Sequence, residues 1–91
     1  MMYQHIHYEP EEYKKIIEGF NNKYPNIFKD ARRYVNDALV NKNNDSLSDL
    51  ESLILVSEEK LEEIYMNVLR NMYLCAIDII NKGDVFDRRN N

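Results

Sequence analysis

The sequence is short of helix breakers, and it lacks the residues that build a disulfide scaffold. Glycine and proline occur only twice each in 91 residues. All-β domains need many turns, so this scarcity argues against them and favours helices. The one cysteine, Cys75, lies between Leu74 and Ala76. Alone it cannot close an internal disulfide, which excludes the small secreted scaffolds that depend on several. Its mid-helix setting predicts a buried small hydrophobe. No apolar run approaches the ~20 residues that a membrane-spanning helix needs. No apolar segment follows a basic start in the manner of a secretory signal. The expected location is the cytoplasm, with no membrane partner.

Positive charge is not in surplus either. Twelve Lys and Arg face sixteen Asp and Glu, for a net charge of −4. General affinity for nucleic acid or an anionic membrane needs a basic field, so this acidic balance argues against both. There is no glycine-rich phosphate loop and no helical His/Glu metal motif. Periodicity brings no Ser-His-Asp set together. His5 and His7 could share one side of an extended arm, but zinc wants three or four convergent ligands and no fixed third is present. The chain is therefore read as non-enzymatic, with no cofactor and no metal site.

What is present is apolar surface in helical register. Apolar residues make up 44% of the chain and charged residues 31%, a balance too apolar for a disordered segment. Ninety-one residues suit one helical domain, 1–91, with an N-terminal arm over 1–8 and a tail over 84–91. The richness in Asn, Ile, Lys and Tyr, all with AT-rich codons, points to a low-GC bacterium or its phage as the source.

Glu9-Pro10-Glu11-Glu12 opens a first helix, because proline suits the first turn and acids suit its positive dipole end. Its stripe is Tyr13, Ile16, Ile17, Phe20 and Tyr24, and Gly19 falls on the side away from it. Pro25 ends this helix by forcing Tyr24 out of helical conformation. A second helix runs from Pro25 or Asn26 to about Val40, with Phe28, Ala31, Tyr34, Val35, Ala38 and Leu39 on its inner face. A polar loop is expected over 41–45. Ser48 with Glu51, or Ser46 with Asp49, then marks the start of a third helix.

The region from Ser57 to Lys82 carries more apolar surface than one face can hold. Leu61, Ile64, Tyr65, Val68, Leu69, Met72, Cys75, Ala76 and Ile79 form one stripe at 3.6 residues per turn. Met66, Tyr73, Ile77 and Ile80 form a second beside it. Together they cover roughly 220° of the circumference, against the 100° or so of an ordinary surface helix. Ser57-Glu58-Glu59 resembles a fresh helix start, although an unbroken helix over 48–82 also fits the phase. Lys82-Gly83 signals a stop.

The expected fold is an all-α bundle of three or four helices, with a long, largely buried C-terminal helix. The second stripe, Met66, Tyr73, Ile77 and Ile80, is the candidate self-association surface of a homodimer. Glu58, Glu59, Glu62 and Glu63 form an acidic edge that could dock a basic partner. Lys29, Arg32 and Arg33 gather on the second helix, where phosphate contact is conceivable. The leading functional expectation is a protein-binding protein: an inhibitor, immunity factor or adaptor. The alternatives are a small DNA-binding regulator of helix-turn-helix type and a non-catalytic subunit of a larger enzyme complex.

Overall fold

The structure is a computed structural model that describes the backbone of residues 6–90 and the side chains of residues 6–82. It is an all-α bundle of four helices, with no strand among the described residues. The helices are α1 (Pro10–Lys23), α2 (Pro25–Val40), α3 (Asn44–Ser57) and α4 (Glu63–Asn90). No helix of the described residues is long and apolar enough to cross a membrane.

The first two helices form where proline, charge and periodicity place them. Pro10 occupies the first turn of α1 with Glu11 and Glu12, and Lys23 lies in its last turn. Tyr24 alone separates α1 from α2. Its φ of −134° and ψ of 62° are non-helical, as a residue before proline requires. The Tyr24 N–H closes α1 on the Phe20 carbonyl at 2.8 Å, and the Tyr24 carbonyl accepts from the Phe28 N–H at 3.0 Å. One residue thus ends one helix and starts the next.

The start of α3 lies earlier than Ser46 or Ser48. Asn43 is the cap, its side chain accepting from the Asp45 N–H at 3.0 Å. Lys42 turns the chain at φ 54°. Ser46, now inside the first turn, is buried and donates to Asp37, which also accepts from Asn41 and, at 2.9 Å, from Asn43. These three donors, Ser46 foremost, hold the Asp37 carboxyl below its usual pKa range. A capping box at Ser48 would have left them scattered in a loop.

The chain breaks after Ser57, but Ser57 ends α3 instead of capping α4. Its carbonyl accepts from the N–H groups of Lys60 and Leu61 at 2.9 and 3.0 Å. This turn drops Leu61 into the core, and α4 follows from Glu63 with the Glu62 carbonyl accepting from Tyr65 and Met66. Ser57 itself is buried, and its hydroxyl has no hydrogen-bond partner among the described residues. At the other end α4 continues through Lys82-Gly83 to Asn90. A helical glycine costs only about 1 kcal/mol relative to alanine, so it does not oblige a stop.

Side-chain contacts and a short turn fix the direction of these helices. Phe20, near the end of α1, stacks on Tyr65 near the start of α4, with ring centroids 5.1 Å apart. Tyr13, near the start of α1, lies close to Cys75. The two helices are therefore antiparallel. The short turn over 58–62 returns the chain so that α3, which packs on α4, also runs against it. All three shorter helices pack on α4, whereas the backbones of α1 and α3 do not come close to each other. The core is Ile16, Phe20, Phe28, Ala31, Leu50, Ile54, Leu61, Met66, Val68 and Leu69.

This arrangement accounts for most of the surplus surface on α4. Met66, from the second stripe, is only 1% exposed and sits inside the chain's own core, where a second copy cannot reach it. Tyr73 packs on that core from the α3 side, and burial is the main reason its hydroxyl titrates above the usual tyrosine range. Ile77 and Ile80 are half-buried. On the first stripe, Ile64, Cys75 and Ile79 are exposed, contrary to the expected burial of Cys75. For Ile79 the reason is length. α1 has 14 residues, ~21 Å, and its first turn reaches only to the level of Cys75, beyond which α4 outruns it.

Gly19 does not face open solvent. A β-carbon there would lie 2.8 Å from Tyr65 Oη, so glycine lets the Tyr65 ring lie against α1. An exposed helical Gly→Ala change stabilises by about 1 kcal/mol. Gly19→Ala is expected to lose this gain to the clash. In a Tyr65→Phe background the nearest ring atom stands at an ordinary 3.7 Å and the gain should return. Urea unfolding of the two single variants and the double variant measures the coupling. A full gain in the wild-type background would contradict the close approach.

Candidate functional site: a groove between α2 and α4

The stretch before α1 is not a loose arm over residues 6–9. Asn71, buried on α4, pairs with both polar groups of one peptide segment: its Oδ1 accepts from the Ile6 N–H at 2.9 Å, and its Nδ2 donates to the Ile6 carbonyl at 2.7 Å. One turn earlier, Asn67 Nδ2 donates to the Tyr8 hydroxyl at 3.1 Å. The Tyr8 ring stacks on Tyr13, centroids 6.1 Å apart. Asn67 is oriented in turn by Arg70, which donates to Asn67 Oδ1 at 3.4 Å and to Glu63 at 2.7 Å. Asn67 and Asn71 therefore act as a docking strip for extended backbone. They interrupt the apolar arc at an i,i+4 spacing, which is the sequence signal for them.

The arm walls one side of a hollow of about 370 Å³. Tyr13 of α1, Val35 and Leu39 of α2, and Asn71, Met72, Cys75, Ala76 and Ile79 of α4 complete its lining. Burial, then the proximity of Cys75 and Tyr8, raises the Tyr13 pKa. A wider hollow of about 780 Å³ adjoins it along α2 and includes Phe28, Lys29, Arg32 and Arg33. The two share Val35, Leu39 and Met72, so they form one groove with an apolar floor. Tyr34 and Leu39, both inner-face positions of α2, are only half-buried, and Leu39 is left open because it lines this groove.

The sequence-predicted residues fare unevenly. Lys29, Arg32 and Arg33 do come together, on the wall of the wider hollow. Arg33 pairs with Asp30 at 3.3 Å, and the Arg32 guanidinium lies 5.8 Å from the Phe28 ring centroid. The acidic edge is divided. Glu62 accepts from the Tyr24 hydroxyl at 2.8 Å and from Lys23 at 3.1 Å, and these contacts, Tyr24 first, hold its carboxyl below the usual range. Glu63 is held by Arg70. Only Glu58 and Glu59 remain exposed in the turn before α4 without an ion pair among the described residues. These four acids do not share a helix face, because 58–62 is a turn.

His7 lines the hollow beside the arm, and His5 lies outside the described residues. Among the described residues no three His, Cys, Asp or Glu side chains converge as a metal site. The connection from α2 to α3 spans only residues 41–43, which is short enough for a helix-turn-helix. However, α3 carries Asp45, Asp49 and Glu51 and no Lys or Arg, so it is unsuited to lie against phosphates. No protein family, no characterised protein and no solved structure matches this chain.

Asn71→Ala removes both hydrogen bonds to Ile6. The arm is expected to leave α4, at a cost of about 1–3 kcal/mol for the lost buried pairing. Hydrogen exchange should show the Ile6 amide losing protection while α2 and α3 keep theirs. An Ile6 amide that stays protected would contradict the docking role of Asn71.

Proposed function

We propose that this chain is a non-enzymatic protein-binding protein, an inhibitor, immunity factor or adaptor, that receives a segment of its partner in the α2/α4 groove. The observation that carries the reading is the shared floor of Val35, Leu39 and Met72, half-buried apolar side chains that line both hollows. Grooves between helices are a recurrent seat for amphipathic partner helices, which insert anchors at i, i+3/i+4 and i+7. Ile79, 52% exposed at the rim of the narrower hollow, extends the contact surface.

The protein is proposed to act as a single copy. A homodimer through Met66, Tyr73, Ile77 and Ile80 would have to use two side chains that the chain's own core already engages. Glu58 and Glu59 form a secondary surface at the other end of α4.

Capture from a lysate of the native host tests the proposal. Wild-type protein should yield a stoichiometric complex, and Ile79→Glu or Leu39→Ala should weaken it about tenfold or more while the circular dichroism spectrum stays helical. A complex that survives both changes but is lost on Glu58→Lys with Glu59→Lys would move the binding site away from the groove.

A further inference from the structure

Resting on the groove reading, the geometry points to an acidic, amphipathic helix of about three turns as the partner segment. The wider hollow is lined by Lys29, Arg32 and Arg33 and by no acidic side chain. In a chain of sixteen acids and net charge −4, this is a local reversal of sign. Asp30 answers Arg33, but Lys29 and Arg32 pair with no carboxylate among the described residues. Arg32 is nevertheless placed, with its guanidinium over the Phe28 ring.

Register sets the length of the occupant. Phe28, Arg32, Val35 and Leu39 follow one another at spacings of 4, 3 and 4, so they lie along one face of α2. That stretch covers ~16 Å, or three turns. A helix of matching length would set an apolar stripe on Val35, Leu39 and Met72 and carry Asp or Glu along the flank that faces Lys29 and Arg32. Complementary charge of this kind sets register and partner choice. Nucleic acid fits less well, because its phosphate backbone offers nothing apolar to the floor, and Phe28, buried beneath Arg32, is not exposed for base stacking.

Two synthetic helical peptides test this, identical in a Leu stripe but carrying Glu or Lys along one flank. With the wild-type protein, the Glu peptide should shift the Met72 methyl resonance and bind about tenfold more tightly than the Lys peptide. Lys29→Glu with Arg32→Glu should reverse that preference, a rescue that loss of fold cannot mimic. The inference is overturned if neither peptide shifts Met72, if the wild type binds both equally, or if duplex DNA binds through Lys29 and Arg32 while the Glu peptide does not. A second copy of this chain found filling the groove overturns it as well. The lysate complex separates this inference from the reading beneath it. Dependence on Leu39 and Ile79 with indifference to Lys29→Glu/Arg32→Glu sinks the acidic partner alone. Indifference to all four sinks the groove.

Discussion

One long helix with too wide an apolar arc is the constraint around which this small bundle is arranged. Apolar surface on α4 must leave water, and at about 25 cal/mol per Å² its burial is the main favourable term available to a chain this small. Three shorter helices pack on α4, and the backbones of two of them, α1 and α3, stay apart. The short turns at Tyr24, at 41–43 and at 58–62 allow this by returning the chain sharply each time.

The face of α4 toward α1 is tightly covered at its start and more open toward Ile79. At its start, Phe20, Tyr24, Phe28 and Tyr65 form a contiguous aromatic group, and Glu62 binds Tyr24 and Lys23 across the gap to α1. Gly19 lets that group close up against α1. Near Cys75 α1 runs out, and the arm before it turns back along α4, where Asn71 and Asn67 pin it. The narrower hollow opens there, beside the start of α1, and the wider one continues from it along α2 to Asn21 and Pro25.

Much of the fold can be read from the residues. Proline at positions 10 and 25 and the apolar stripes of α1 and α2 mark both helices, since these signals are local. Caps are less legible where Asn, Asp and Ser crowd together. Asn43, Ser46 and Ser48 all qualify, and the choice is made by Asp37, which gathers Ser46 and Asn43 from a different helix. The same holds for Gly19 and Asn71. Their roles come from a neighbour far along the chain, and periodicity carries no information about that neighbour. The basic cluster of the groove is legible as three residues on α2, but its apolar floor is not, because periodicity alone makes Leu39 a core position and does not show the hollows it lines.

Whether one chain covers α4 by itself is open to a direct measurement. Urea unfolding followed at protein concentrations spanning two or more orders of magnitude reports it, because a folded state that needs a second copy gains stability as concentration rises. A self-contained bundle requires a midpoint that does not move. A midpoint that climbs with protein concentration would mean that α4 is covered by another chain, and that the core of Met66, Leu69 and their neighbours is insufficient alone.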